Sequence, residues 1–434
     1  MMHHIGIRRE DKNKWEQRTP IIPKHVKDLL DEHQIKTYIQ PSTIRSFKDE
    51  EYEKAGAVIT EDLSSSGVIF AVKEIPKEFF EIQKTYVFFA HVIKGQKYNM
   101  PMLKEMMKKK CTLIDYEKIV NEKNMRLIFF GKYAGIAGMV DTLYSFGQRM
   151  KEYYSYKTPF LKIKKTFQYS DLSSLKEHIS EIGTIITSKG IPQENTPFII
   201  GFAGYGNVSK GAQEIINLLP CIDIEPNQID EIMQNPSNKH VYKVVFKEKD
   251  MVQPIEDDER FQLQDYYAHP EKYKSIFEKY LPNLTILMNC IYWDERYPRL
   301  LTKNYLKEHF EDDDFKLLIV GDISIDINGA IEPTGKVTTP DNPFFVYNPD
   351  KDEMFDDISH KGLVIMGVDN LPCELPKDSS TEFSNTLYQF IPSIVNADYS
   401  ASFEELTLPP EIKNAVILHK GKLTPSFTYI NNYL

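Results

Sequence analysis

Residues 198–212, FIIGFAGYGNVSKGA, constrain this chain more than any other stretch. An apolar β-run breaks there into closely spaced glycines and then opens a helix, expected over 209–219. Such a turn lets backbone approach a pyrophosphate and aims helix-start N–H groups at it. Gly204 and Gly206 fit the spacing G-x-G-x-x-G, Ser209 takes the third position, and Gly211 follows. A glycine triplet alone is weak evidence, because ordinary turns use the same residues. Here a strand precedes it, a helix follows, and Glu225 stands nineteen positions beyond Gly206 at the end of the next short apolar run. The pattern predicts dinucleotide binding. Almost two hundred residues come first, so a whole domain precedes the nucleotide site.

A chain of 434 residues exceeds one ordinary core and suits two α/β domains. The net charge of −10 argues against a nucleic-acid partner but leaves room for a local basic pocket. Cys111, Cys221, Cys290 and Cys373 lie far apart in apolar surroundings, without metal spacing, and read as reduced core thiols. No apolar run approaches the roughly 18 residues that span a bilayer. The N-terminus enters a strand pattern at once, with no targeting peptide visible, so a cytoplasmic enzyme is expected.

Strands are expected at 5–8, 36–40, 68–72, 86–91, 112–116 and 126–130, with helices between them. This alternation implies a mostly parallel sheet, on which ligands bind beyond the carboxyl ends of the strands. Residues 131–154 read as a long helix rich in small side chains, a connector between domains. A second helix follows at 172–189. After the glycine turn, apolar runs at 242–246, 285–290 and 316–320 suit a second parallel sheet, and 248–275 is a polar, aromatic excursion. Residues 362–372 form a buried strand and turn, and a helix at 382–395 returns to the first domain. The fold class is α/β: two Rossmann-like domains with parallel sheets and an interdomain cleft.

Lys73 directly follows the run GVIFAV, and His91 closes YVFFAH. A lysine there ordinarily marks where a strand meets water, and a histidine ordinarily bonds a carbonyl. Together on successive strand ends they make a candidate acid–base pair, since burial or nearby positive charge brings a lysine toward neutrality and histidine starts close to it. Glu74 opposes that effect on the lysine. Arg18, Lys94 and Arg126 read singly as solvated charge; around one cleft they suit a substrate with several carboxylates. In the second half, Tyr292 and Trp293 end a strand where nicotinamide or substrate would approach. Asp322 ends another, as a ribose acceptor or a turn aspartate.

The runs RREDKNKWEQRTPIIPKHVKDL, VKEIP, FFAHVIKGQ, LIDYEKIV, FGKYAGIAGM, GYGNVSKGAQ, NCIYW, PRLLT, GDIS and VDNLPCELP resemble, in order, the lysine–ketoglutarate reductase region of the α-aminoadipic semialdehyde synthases. More distantly the chain is similar to the lysine-forming fungal saccharopine dehydrogenases and the alanine dehydrogenase/transhydrogenase superfamily. The resemblance implies a substrate domain of 1–131 plus about 363–434 and a dinucleotide-binding domain of 132–362. It implies reductive condensation of L-lysine and 2-oxoglutarate to saccharopine, without the half that oxidises saccharopine onward. By motif position, Lys73 and His91 match the catalytic lysine and histidine. Arg18 and Arg126 match binders of substrate carboxylates, Gln96 and Phe130 line the same cleft, and Glu74 and Glu117 tune it. Gly206, Asn207, Val208, Ser209, Lys210, Gly211, Glu225, Ile291 and Asp322 fall where the family contacts the nucleotide, and Tyr292 and Trp293 near the amino-acid product.

An acid at Glu225 ordinarily accepts the ribose of NAD(H) and repels the phosphate of NADP(H). The reductase region it resembles is NADPH-linked, so NADP(H) is the expected coenzyme, NAD(H) the alternative, and Lys210 the counter-charge. Family analogy also admits a mitochondrial location. The competing readings are another amino-acid dehydrogenase of the superfamily and a non-catalytic nucleotide sensor, which would have eroded Lys73, His91 or the arginines.

Overall fold

Apolar runs alternating with helices in the first 130 residues build one parallel sheet in the computed structural model, which describes residues 3–256 and 259–434. Its strands are β1 (His3–Ile7), β2 (Ile35–Ile39), β3 (Val58–Ile59), β4 (Val68–Phe70), β5 (Thr85–Phe88) and β6 (Thr112–Asp115), in the order β6-β5-β4-β1-β2-β3. The strand expected at 126–130 does not form. Arg126 makes only an isolated antiparallel bridge to Val120, because Asn121 Oδ1 accepts the N–H groups of Lys123 and Met125 and folds the chain back. A parallel neighbour for β6 needs a crossover of about a dozen residues or more, and the chain turns too soon for one. Beyond β6 the sheet is completed by the hairpin Val416–His419 and Lys422–Leu423, antiparallel to it.

The helix expected at 382–395 forms as two, Pro376–Tyr388 and Ile391–Asn396, with Pro392 in the first turn of the second. It packs in the first unit. Ser380 Oγ accepts from Thr19 N at 3.0 Å, Ser384 Oγ accepts from Ile22 N at 3.0 Å, and Phe383, Leu387, Ile391 and Ile394 join the core around β1 and β4. One compact unit is therefore Met1–Phe130 with Pro376–Leu434; the other is Gly131–Leu375.

The second unit has its own eight-stranded sheet and a separate two-stranded one. The strands are β7 (Phe198–Ala203), β8 (Cys221–Ile224), β9 (Val241–Phe246), β10 (Val252–Pro254), β11 (Tyr273–Ser275), β12 (Ile286–Asn289), β13 (Ile319–Asp322), β14 (Phe344–Asn348), β15 (Glu353–Phe355) and β16 (Leu363–Met366). The large sheet runs β15-β14-β16-β13-β12-β7-β9-β8, and β14 and β15 are antiparallel. Both large sheets are thus mixed and mostly parallel, in keeping with the expected α/β class. β16 is hydrogen-bonded on both edges inside this sheet, so the chain leaves the unit at Pro376 and not near 363. The excursion at 248–275 contains the small sheet β10–β11; positions 257 and 258 within it lie outside the described residues.

The helix Gly131–Glu152 belongs wholly to this unit and is buried on most of its circumference. Small residues let it touch the helix Asn207–Ile216 backbone to backbone. A Cβ at Gly135 would lie 1.9 Å from the Val208 carbonyl oxygen, and one at Gly211 would lie 2.1 Å from that of Lys132.

Asp141 on the long helix meets Glu374 at the end of the unit, both fully buried. Thr166 donates its N–H and O–H to Asp141 Oδ1 at 2.9 and 3.0 Å, and Phe167 N–H reaches Glu374 Oε2 at 3.3 Å. The remaining oxygens, Asp141 Oδ2 and Glu374 Oε1, have no other donor among the described residues, and the two carboxyls are within hydrogen-bonding reach. Such a contact requires a shared proton. Burial pushes Asp141 up to about 6, and burial with the Asp141 charge pushes Glu374 well above the carboxylate range; Lys165 opposes both.

The unfolded chain loses these protons near pH 4, and the folded pair keeps one, so stability falls as pH rises through the folded values. Buried Glu10, Asp115 and Asp322, also raised, act in the same direction. Glu374→Gln supplies a permanent donor, and urea melts at pH 5, 6.5 and 8 should show a flatter slope and a gain of about 2 kcal/mol at pH 8. An unchanged slope would mean that no proton is shared.

Candidate functional site

In the first unit the chemistry gathers just past the ends of β4 and β5. β4 ends at Phe70 and β5 at Phe88, so Lys73 and His91 each sit three residues beyond a strand, in loops and not on the strands expected for them. His91 adopts a left-handed φ of 47°, and Asn99 Nδ2 holds that turn by donating to the carbonyls of Ala90 and His91 at 3.0 and 3.1 Å. His91 Nδ1 lies 2.7 Å from Glu74 Oε1, while Lys12 Nζ reaches Glu74 Oε2 at 3.3 Å. Burial pushes the Glu74 carboxyl up, but the His91 hydrogen bond and charge outweigh it and hold Glu74 well below the carboxylate range. An ionised Glu74 can only accept, so Nδ1 carries the hydrogen and Nε2 is the nitrogen left for proton exchange.

Burial, followed by the Arg18 guanidinium, pushes the half-buried Lys73 ammonium below its ordinary value, against the opposing charge of Glu16. Two residues that the motif reading passed over fix this arrangement. Glu10 is buried, and its carboxyl accepts from Val72 N at 2.7 Å and Lys73 N at 3.0 Å, pinning the loop that carries the lysine. Burial and Glu16 push Glu10 up to about 7. Glu16, 0% exposed, grips Arg18, 2% exposed, through two hydrogen bonds of 2.7 and 2.6 Å. Their only sequence signal was the short spacing of acids and arginines in RREDKNKWEQR, which looks like ordinary surface.

Arg18 is therefore not a solvated arginine. Its guanidinium also lies 4.2 Å from the Phe130 ring centroid, and Phe130 stacks on Phe383 at 4.6 Å. Arg126 is half-exposed and bonds Glu117 at 2.9 Å; Glu117 in turn is anchored by its N–H to Asp115 Oδ1. Burial and the Glu117 charge push Asp115 up to about 7. Lys94 is exposed, and its N–H donates to Gln96 Oε1 at 3.1 Å.

In the second unit the glycine turn follows β7. Gly204 takes a φ of +94°, which L side chains rarely adopt, and no atom lies within 4 Å of a Cβ position at Gly206. Gly206 caps the helix Asn207–Ile216, leaving an open approach to its first N–H groups. These features fit a pyrophosphate. Asn207 and Lys210 are exposed and Val208 half-buried. Ser209 is fully buried, and its Oγ accepts from Gln213 Nε2 at 2.9 Å, so its side chain faces inward. Gly211 serves the contact with the helix Gly131–Glu152, a packing role where coenzyme contact was expected.

Three further expectations change. Asp322 is 1% exposed and saturated by Asn289 Nδ2, Ile325 N and Thr334 Oγ1 at 2.9, 3.0 and 2.6 Å; it ties the ends of β12 and β13 and does not offer itself to a ribose. Trp293 is buried, with its indole N–H on the Tyr297 carbonyl at 3.0 Å, whereas neighbouring Tyr292 is 69% exposed. Glu225 is exposed at the end of edge strand β8, separated from β7 by β9. Ile291 lines a cavity of about 310 Å³ with the glycine turn. Among the described residues no cluster could hold a metal, and all four cysteines are free thiols.

Residues 6–137 match the alanine dehydrogenase/PNT N-terminal domain and residues 294–426 its C-terminal domain. Over 98% of its length the chain is 39% identical to the alpha-aminoadipic semialdehyde synthase of Arabidopsis thaliana, covering 41% of that protein. It is 35% identical over 99% of its length to the mitochondrial synthase of Bos taurus, covering 48%. The chain thus spans less than half of these relatives. An L-alanine dehydrogenase structure, 14% identical, superposes with a TM-score of 0.63 over 99% of this chain and all of that one, which shows a shared fold.

After reductive methylation with labelled formaldehyde, NMR titration should find the Lys73 amine below 10.5 and below the exposed lysines. A Lys73 titrating with the others would remove it as a proton-transfer group.

Proposed function

Since the chain belongs to the alanine dehydrogenase/PNT family, whose members use a nicotinamide dinucleotide, we propose that it is a lysine–ketoglutarate reductase. It would condense L-lysine with 2-oxoglutarate and reduce the product to saccharopine, with NADPH as the expected coenzyme and NADH as the alternative. The observation that carries this reading is the Lys73–Glu74–His91 arrangement past the ends of β4 and β5: an ammonium that burial pushes below its usual value, and, bonded to the next residue along the chain, a histidine fixed by an ionised carboxylate.

The reaction explains why two such groups are needed. The ε-ammonium of the substrate must lose a proton before its nitrogen can add to the keto carbon. The resulting hydroxyl must gain a proton to leave as water, and an imine remains. Lys73, pushed below its usual value by burial, and His91 Nε2, the ring nitrogen left open by the Nδ1–Glu74 bond, are the two groups offered for these proton exchanges. A nicotinamide coenzyme, its pyrophosphate held at Gly204–Gly206 and the start of the helix Asn207–Ile216, would supply the hydride that reduces the protonated imine. Arg126, half-exposed, is placed to exchange its single bond to Glu117 for a substrate carboxylate. Arg18, already committed to Glu16 and Phe130, supplies field and orientation to Lys73.

Incubation with lysine, 2-oxoglutarate and NADPH or NADH, followed at the absorbance of the reduced coenzyme, tests the proposal; no lysine-dependent oxidation with either would sink it. Lys73→Met should lower kcat about 100-fold or more while leaving coenzyme Kd unchanged, and equal losses in both would count against a proton-transfer role. Arg126→Ala should weaken apparent binding of lysine or the keto acid, raising that substrate's KM about tenfold to a hundredfold. This is the loss of one charged hydrogen bond, roughly 1.5–3 kcal/mol. Unchanged values for both substrates would return Arg126 to an ordinary surface ion pair.

A further inference from the structure

The segment 91–99 carries His91 at its start and Lys94 and Gln96 in its middle, and its backbone enters the left-handed region twice. His91 has a φ of 47° and Gly95 one of +69°, and Gly95 N–H donates to the Val92 carbonyl at 3.0 Å. A residue with a side chain, such as His91, keeps a left-handed backbone only where its surroundings over-determine it. Asn99, which fastens the carbonyls of Ala90 and His91, is one such hold. It grips the start of the loop, and residues 92–96 need another.

That second hold comes from the far end of the chain. Residues Pro425–Tyr433 wind in 3₁₀ turns and meet this loop within the same compact unit. The Tyr429 hydroxyl donates to the Ile93 carbonyl at 2.7 Å. The Tyr433 ring presses so closely on Gly95 that a Cβ there would lie 2.4 Å from Cγ and Cδ1 and 2.7 Å from Cδ2. Gly95 is thus required twice, for its φ and for the ring it admits. The segment is itself anchored. Phe427 and Ile430 are buried in the core of the unit. Thr424, just before the segment, donates its N–H to the Ile417 carbonyl at 3.1 Å and its O–H to the Val416 carbonyl at 2.6 Å. A tether fixed to the sheet at one end and to Ile93 and Gly95 at the other restrains the loop from the side that Asn99 does not reach.

We propose that Pro425–Tyr433 is a positioning element for the reaction, which sets the aim of His91 Nε2 through Tyr429 and Tyr433. The proposal rests on the proton-transfer role given to His91 above, and it names what keeps that ring in register with Glu74. Both tyrosines act through the loop and are positioning residues. With Ile93 and Gly95 released, the backbone at His91 relaxes out of the left-handed region. The Nδ1 bond to Glu74 is then lost, and the direction of Nε2 goes with it, a misplacement of the kind that lowers turnover without weakening binding.

Long-range proton–nitrogen NMR on the full chain with labelled histidine, with His91→Gln to assign the His91 signals, tests this apart from turnover. At a pH above the ordinary histidine range, the parent signals should be those of a ring whose Nδ1 carries hydrogen. Tyr429→Phe removes one oxygen, and Tyr433→Ala takes the ring off Gly95. Each should move the His91 signals toward the tautomer mixture of an unrestrained imidazole. Each should also lower kcat about tenfold, with substrate KM and coenzyme Kd within about twofold of the parent. Tyr433→Phe, which keeps every atom that meets Gly95, should restore both the spectrum and kcat. His91 signals unchanged in both Tyr429→Phe and Tyr433→Ala would overturn the proposal. A rise in KM at constant kcat would overturn it too, because the segment would then serve Lys94 and Gln96 instead. Absence of turnover in the parent chain would remove the reaction reading, and the histidine signals would still decide whether the segment holds His91.

Discussion

The second unit depends on one close approach, the backbone contact between the helices Gly131–Glu152 and Asn207–Ile216. Two glycines, Gly135 and Gly211, each lie against a carbonyl of the other helix, at distances that leave no room for a methyl group. Side chains ordinarily separate packed helices; at these two positions there are none, and backbone meets backbone. The helix that starts at the glycine turn is thereby clamped to a long buried neighbour, and its first N–H groups point where the turn leaves space. Anion-binding geometry is therefore made by packing behind the site as much as by the turn in front of it.

A similar economy governs the first unit. Glu16 grips Arg18, and Glu10 beside it accepts the backbone N–H groups of Val72 and Lys73, so two buried carboxylates fix the surroundings of the lysine from both sides. Burying a guanidinium costs heavily unless a carboxylate meets it with good geometry, and Glu16 does so through two bonds. The remaining acid, Glu10, then sits close to a negative neighbour and finds its partners in backbone N–H groups. Lys73 inherits the result, a low-dielectric loop with a net positive neighbour.

Much of this was legible in the sequence. Apolar runs bounded by polar turns located most strands of both sheets, and the glycine turn identified the second one. The errors share a cause: local pattern reports that a strand exists and says nothing about its neighbour. Residues 126–130 are apolar enough for a strand but lie too close to β6 for a parallel crossover. Glu225 has the right spacing from Gly206, yet an extra strand lies between it and β7. Polar residues failed for a related reason. Asp322 and Arg18 look like accessible charges in a linear string, and only the fold reveals that Thr334 and Glu16 had already claimed them. Lys73, Glu74 and His91 were easier, because strand-end position survives small errors in strand length.

The split first unit also dictates an order of assembly. Its sheet is finished by residues 416–423, about three hundred positions after β6. During synthesis the continuous unit Gly131–Leu375 is complete and free to fold while β6 still presents an unpaired edge, and Ser380 and Ser384 have not yet been made. Exposed edges of this kind recruit other strands, and domains emerging from the ribosome fold in sequence. The first unit therefore cannot finish its sheet until residues 416–423 have been made, and the segment that carries them acts as the latch that closes it.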